Sequence, residues 1–268
     1  MVTAPNKQPL AGRRVLVCRP QPRADELCKA LREAGAEARA LPMMELVPRE
    51  LDGRDRAVIQ DLDLYQHVIA VSPSAAEILL ERIDPWWPQW PIGVQWWGVG
   101  SGTASTLQKA GLPGNYPETG YTSEALLAHP ELQADALGDA RVLIAKGASG
   151  RPVLQDCLIE RGARVDTLVL YHRRAPEYDE ATLQAHFSEF NPDTVITLSG
   201  ETLNNLLQVV QNTDPGLFRR RLIVPVSRVA EDAEAAGFTD TVIPGDLSPT
   251  GLIAACAQQG PATAPNQE

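Results

Sequence analysis

Tyr171 is one side chain whose type and setting could do chemistry. It ends the apolar run Val165, Leu168, Leu170 and stands directly before His172-Arg173-Arg174. A tyrosine hydroxyl has a reference pKa of about 10, so at neutral pH it keeps its proton and donates. Beside groups that can carry positive charge, it would offer that hydrogen bond to a negatively charged ligand. The alternative is a strand tyrosine that packs its ring and leaves its hydroxyl in water. A second set of groups recurs along the chain: Arg19-Pro20, Ser72-Pro73-Ser74, Gly100-Ser101-Gly102-Thr103, Lys146-Gly147-Ala148-Ser149-Gly150-Arg151, Ser199-Gly200, and Ser227-Arg228. Each follows a short apolar run and precedes a helical pattern. Helix N-termini present unpaired N–H groups and a positive dipole end, which suits carboxylate or phosphate. Taken singly, each loop reads first as an ordinary cap or turn. Taken together, they point to a small anionic ligand.

These loops need strands to end on and helices to begin. The stretch from Arg141 to Arg174 reads as strand, Gly-rich turn, helix and strand. The helix carries Val153, Leu154, Cys157 and Leu158 on one face, and Gly162 ends it as a left-handed cap would. An earlier stretch has the same plan. A shift of 127 residues carries Val15 to Val142, Leu27 to Leu154, Leu31 to Leu158, Gly35 to Gly162 and Ser72 to Ser199. A shift of 126 carries Ser101 to Ser227, Ala104 to Ala230, Gly111 to Gly237 and Leu126 to Leu252. Apolar, glycine and serine positions align together, so the chain reads as an internal duplication. Each half alternates strand and helix about four times. That pattern predicts α/β architecture: two similar flavodoxin-like parallel-sheet domains, covered on both faces, with ligands bound beyond the carboxyl ends of the strands. Two such sheets facing one another would form a cleft.

The 268 residues suffice for one large domain or two modest ones. A net charge of −10 argues against general nucleic-acid binding, and any polyanion must be held by a local positive field. Cys18, Cys28, Cys157 and Cys256 are far apart and read as reduced core residues of a cytoplasmic protein. Met1 to Pro9 lacks an apolar signal core, no run reaches membrane-spanning length, and Gln258 to Glu268 reads as a fraying tail. His67, His129, His172 and His186 do not cluster at ligand spacing, so no metal is expected. Gly98-x-Gly-x-Gly carries Thr103 where a dinucleotide fingerprint needs glycine, and no Walker lysine or Gly-x-Ser-x-Gly elbow occurs. No nucleotide is therefore expected. Arg219-Arg220-Arg221 reads as a solvated helix end. The loop holding the tryptophans, Trp86 to Trp97, reads as a lid, a partner surface or a segment packed on its own domain.

Several pieces in fixed order resemble the uroporphyrinogen-III synthase family from about Arg13 to Ala257. They are Val15-x-Val17-x-Arg19-Pro20, Leu41-Pro42, Val71-Ser72-x-Ser74-Ala75, Val99-Gly100-x-x-Thr103-Ala104 and Gly147-x-x-Gly150-Arg151 with Leu154. Gly162-Ala163-x-Val165, Tyr171-x-Arg173, Thr197-x-Ser199-Gly200 and Ser248-Pro249 complete the set. The chain departs from it with Cys18 in place of a frequent Thr, Lys146 in place of Arg, and Val71 in place of Thr.

The resemblance implies two α/β domains joined by a two-stranded β-ladder, with the cleft between them. Residues 1–41 and 174–268 would form one domain and 44–170 the other, with linker strands near 41–47 and 168–174. It implies hydroxymethylbilane as substrate and a cofactor-free lyase reaction. That reaction closes the ring with inversion of the terminal pyrrole through a spiro intermediate. Tyr171 would then be catalytic. Arg19, Ser72, Ser74, Gly100, Thr103, Lys146, Ser149, Gly150, Arg151, Thr197, Ser199, Gly200, Ser227 and Arg228 would bind the substrate's carboxylates. A monomer in transient contact with the preceding enzyme of the pathway, free of nucleic acid and membrane, is the matching expectation. The rival readings are a two-lobed small-anion binding protein without catalysis, and a sugar transferase.

Overall fold

The computed structural model describes residues 8–120 and 122–258. The polar N-terminal stretch through residue 7 and the tail from residue 259 lie outside them. In chain order the elements begin with β1 (Arg14–Val17), α1 (Arg23–Glu33), β2 (Glu37–Ala40) and β3 (Glu45–Pro48). Then come α2 (Gly53–Gln60), β4 (His67–Ala70), α3 (Pro73–Ile83), β5 (Gln95–Gly98), α4 (Ser101–Lys109), α5 (Ser123–Leu127) and α6 (Ala134–Leu137). The second half brings β6 (Arg141–Gly147), α7 (Val153–Glu160), β7 (Arg164–Arg174), α8 (Glu180–Gln184), β8 (Thr194–Ile196) and α9 (Gly200–Thr213). It ends with β9 (Arg221–Ile223), α10 (Ser227–Ala235), β10 (Asp240–Val242) and α11 (Pro249–Ala257). The chain divides into two compact units. One takes the chain up to Glu45 and from Arg174 onward, and the other is Leu46–Arg173.

In the first unit the strands lie in the order β10-β9-β8-β1-β2, and neighbours run parallel. In the second the order is β3-β7-β6-β4-β5, with β4 to β7 parallel and β3 at the edge beside β7. The duplication appears register for register. Arg14 pairs with Glu37 across β1 and β2, and Arg141 with Arg164 across β6 and β7. Val15 pairs with Thr194 across β1 and β8, and Val142 with His67 across β6 and β4. The shift of 127 residues carries each pair into its counterpart. Each half's leading strand–helix–strand therefore completes the sheet of the other half.

Alternation along the strands builds the cores. In the first sheet Leu16, Val195 and Leu222 point to one face, and Val15, Val17, Ile196 and Ile223 to the other. In the second, Val68, Ala70, Leu143 and Ala145 oppose Ile69, Val142 and Ile144. Both faces are buried, as helices on each side of a parallel sheet require. Helix ends repeat as well. Gly35 and Gly162 have φ of +98° and +97°, and the following amides close six-residue turns onto Leu31 and Leu158. A residue with a Cβ would be strained at either position.

Three readings need correction or completion. Arg221 is not solvated: it opens β9, is 6% exposed, and pairs its Nε with Asp240 at 3.1 Å while its guanidinium donates to the Gln258 carbonyl. Strand formation takes precedence there because Arg221 must pair with Thr194 at the start of the sheet. Arg221→Ala is expected to cost about 1–3 kcal/mol in urea unfolding, below the full buried-pair range because Asp240 keeps 22% exposure. Second, the tryptophan-rich segment packs on its own unit. Trp87 donates to the Ile59 carbonyl at 2.7 Å, Trp90 to Ala110 at 2.9 Å, and Trp96 and Trp97 are core residues of β5. Third, the apolar pattern does not announce α2. Its signal was local: Asp52 and Asp55 form a reciprocal capping box, which the apolar pattern alone does not show.

All four cysteines are free, and three are fully buried. Burial pushes the Cys256 thiol up to about 12, so it stays protonated and inert. His67 is buried at the start of β4, where its Nδ1 accepts a 3.1 Å hydrogen bond from Trp97 Nε1. That bond requires the neutral ring. Burial holds the His67 pKa below its ordinary value, partly countered by the Glu131 charge. The unfolded chain therefore binds the proton first, and stability is lost as pH falls below about 6.5. The thermal midpoint is expected to drop between pH 7 and 5.5, and His67→Asn should flatten that slope.

Candidate active site

In the second unit the chain runs outward from β4 to β5 on one side and from β6 to β7 on the other. The reversal between β6 and β4 leaves a crevice at their carboxyl ends, the place where open α/β sheets bind ligands. A cavity of about 190 Å³ lies there. Val71 and Ser72 follow β4; Lys146 and Gly147 end β6; Tyr171 and Arg173 come from β7; Ser149 to Pro152 lead into α7, which adds Leu154 and Gln155; Ser123 opens α5. The volume is below the roughly 300–1,000 Å³ of pockets that hold drug-sized ligands. It suits one ring or arm of a larger molecule.

Tyr171 reaches this cavity because of a register shift. Along β6 and β7, Lys146 faces Val169, yet Gly147 faces Tyr171, so Leu170 is the extra residue. Such an irregularity breaks the alternation of a strand and re-aims a side chain. Leu168, Leu170 and Tyr171 all pack into one core cluster, so two consecutive residues share a face, which regular pleating would not allow. The Tyr171 ring lies over Gly147: a Cβ there would stand 2.6 Å from ring Cε2 and 3.2 Å from the hydroxyl. The main chain is held too, since Ala148 N–H donates to the Tyr171 carbonyl at 2.8 Å.

The tyrosine is 2% exposed, and its hydroxyl stands 3.2 Å from Ser72 Oγ. Ser72 in turn caps α3, accepting from Ala75 N–H at 3.1 Å. Two hydroxyls hold two hydrogens, and their mutual bond uses one. The other remains for a ligand. Positive charge lines the same cavity. The Lys146 side chain is half-buried and makes no hydrogen bond or ion pair among the described residues. Arg151 is exposed and paired with Glu124 at 2.9 Å. Gly150 adopts φ of +125°, which turns the loop into α7. The arrangement can hold a carboxylate and donate a proton beside it.

The family model described as uroporphyrinogen-III synthase HemD matches residues 8–254 of this chain. The chain belongs to the uroporphyrinogen-III synthase family. It is 32% identical to the uroporphyrinogen-III synthase of Salmonella typhimurium over 247 residues, covering 90% of this chain and 98% of that protein. The Escherichia coli enzyme of the same name is 30% identical over 251 residues, with the same coverage. Among solved structures, uroporphyrinogen-III synthetase from Helicobacter pylori matches with a TM-score of 0.57 at 14% identity, over 90% of this chain and 97% of that one. A mutant uroporphyrinogen III synthase from Thermus thermophilus matches with 0.53 at 16%, over 91% and 97%. These two likenesses show the shared fold.

On this synthase fold, the cavity of the second unit gathers Ser72, Lys146, Ser149, Gly150, Arg151 and Tyr171 from the residues the sequence singles out. Ser74, Gly100 and Thr103 do not line it. Thr103 is 3% exposed and packs where Gly98 leaves room, with 2.8 Å between its Cβ and the Cβ position of Gly98. The remaining candidates belong to the first unit. There the reversal lies between β1 and β8, and Arg19 and Thr197 follow those two strands. Thr197 Oγ1 is fully buried without a partner among the described residues, an acceptor or donor held in reserve. Burial, and the nearby Arg23 charge, pull the Arg19 pKa below the usual arginine range. Ser199 caps α9 through Thr202 N–H at 3.1 Å, and Gly200 follows it. Ser227 and Arg228 are exposed at the start of α10. Sequence reasoning passed over Gly147 as a cradle, and Ser123 and Gln155 as lining. The sequence shows the glycine only as part of a loop motif; its place against the Tyr171 ring follows from the register shift.

Proposed function

We propose that this chain performs the reaction of its family, closing hydroxymethylbilane to uroporphyrinogen III with inversion of the terminal pyrrole. The observation that carries the reading is the Tyr171 hydroxyl, buried against Ser72 in the lining of a cavity that Lys146 and Arg151 also line. The reaction loses a hydroxyl as water and later a proton from the ring that re-aromatises. Tyr171 donates to the departing oxygen, and the proton released at the end restores the balance. No redox step is involved. Carboxylate arms are taken by the donors at the two strand reversals: the Ser72 main-chain N–H, Lys146, Ser149, Gly150 and Arg151 in one unit, and Arg19, Thr197, Ser199 and Gly200 in the other. Ser74, Gly100, Thr103, Ser227 and Arg228 complete the proposed binding set. Charged hydrogen bonds of this kind contribute about 1.5–3 kcal/mol each.

Much of the catalysis is orientation. The unaided chain closes without inversion, so holding its terminal ring for attack at the substituted carbon decides the product. The reading takes the two compact units as the family's two domains, joined where the chain passes from Glu45 to Leu46 and from Arg173 to Arg174. It also takes the protein as a cytoplasmic monomer that receives its substrate from the preceding enzyme of the pathway. Free cysteines and the absence of any helix long and apolar enough to cross a membrane, among the described residues, support that placement. A ligand carrier without catalysis is not favoured, because the family match spans residues 8–254.

The test is direct. The chain is incubated with hydroxymethylbilane, the products are oxidised, and the porphyrin isomers are separated. The inverted isomer is expected to dominate; the uninverted isomer alone would overturn the reading.

A further inference from the structure

The Ser72–Tyr171 pair has a direction. We propose that Ser72 is a positioning residue whose hydroxyl donates to Tyr171 Oη, leaving the tyrosine's own proton free for the cavity. This rests on the proposed role of Tyr171. The chain of donors starts at α3. Ala75 N–H fills one lone pair of Ser72 Oγ at 3.1 Å and fixes the oxygen at the positive end of an 11-residue helix. Ser72 Oγ then stands 3.2 Å from Tyr171 Oη. Gly147 closes the far side of the ring, so the hydroxyl has little room to turn away. Donation in the order Ala75, Ser72, Tyr171, ligand lets each bond polarise the next, and it makes the tyrosine a stronger donor than it would be alone.

The duplication supplies an internal control. Ser199 is the counterpart of Ser72 and caps α9 in the same way, through Thr202 N–H at 3.1 Å. Its hydroxyl lies 2.8 Å from Thr202 Oγ1, a residue of its own helix. The counterpart of Tyr171 under the same shift is Met44, a buried residue with no hydroxyl. Capping therefore does not require a tyrosine. The second unit has the same cap and adds Tyr171, and Ser72 Oγ turns to it.

Capping and positioning can be separated by substitution. Glycine is nearly as good an N-cap as serine, so Ser72→Gly keeps the helix start while removing the hydroxyl. Ser72→Thr keeps both. Steady-state kinetics with hydroxymethylbilane and thermal unfolding are measured for each, in wild-type and Tyr171→Phe backgrounds. Ser72→Gly is expected to lower kcat about 2–10-fold, with KM and Tm little changed. Ser72→Thr should restore kcat, and in the Tyr171→Phe background Ser72→Gly should have no further effect. A rise in KM with kcat unchanged would make the Ser72 hydroxyl a direct substrate contact and overturn the inference. So would an equal loss in the Tyr171→Phe background. Impaired Tyr171→Phe with fully active Ser72→Gly overturns this inference alone. Fully active Tyr171→Phe overturns the tyrosine's role and this inference with it.

Discussion

Tyr171→Phe is expected to lower kcat about 10²–10⁴-fold, the usual contribution of a positioned proton donor. The ring and its packing are kept, since phenylalanine fills the same space over Gly147. Only the 3.2 Å bond to Ser72 is lost. Stability should therefore change by no more than about 0.5–1.5 kcal/mol, and KM should move little. The product should change as well as the rate. A slow enzyme lets the unaided closure compete, so the uninverted isomer should rise in the mixture. The assay separates porphyrin isomers over a time course. Full activity in a folded Tyr171→Phe protein would remove the tyrosine from the mechanism.

Gly147→Ala is expected to be nearly as damaging, by a different route. The added Cβ would stand 2.6 Å from Tyr171 Cε2 and 2.8 Å from Cζ. Real Cβ atoms do not approach that closely, so the ring must move, and the hydroxyl moves with it. A displacement of about 1 Å in such a group costs on the order of 100-fold in rate. Overpacking of a filled site also costs stability, about 1–3 kcal/mol. A double-mutant cycle distinguishes this mechanism from general damage. If Gly147 acts by placing the tyrosine, Gly147→Ala adds almost no rate loss in the Tyr171→Phe background. An additive loss would assign Gly147 a separate role.

Much of this was legible in the chain itself. Val15, Leu27, Gly35 and Ser72 recur as Val142, Leu154, Gly162 and Ser199 because each plays the same part: a buried strand, a helix face, a left-handed cap and an N-cap. Those are local requirements, set by period and by backbone conformation, and sequence records local requirements well. The anion-holding groups are legible for the same reason. Serines and glycines that start helices after strands lie at the carboxyl edge of the sheet in any parallel α/β arrangement.

Arg221 shows where local reading stops. Three consecutive arginines suggest a solvated surface, yet the third is buried, because β9 must pair with β8 and Asp240 stands across the sheet on β10. That partner is distant in sequence, and no local pattern announces it.

Tyr171 divides the two kinds of information most clearly. The sequence by itself determined its residue type, its place at the end of an apolar strand, the cations around it, and the halves whose repetition makes its counterpart Met44. Tertiary structure alone decided that the tyrosine meets Ser72 and lies over Gly147. The reason is physical. Side-chain direction in a sheet depends on register, and the one-residue slip between Lys146 and Gly147 appears only when β6 and β7 pair. One extra residue turns a side chain from one face of a sheet to the other. Here that turn brings a hydroxyl to within 3.2 Å of a helix-capping serine.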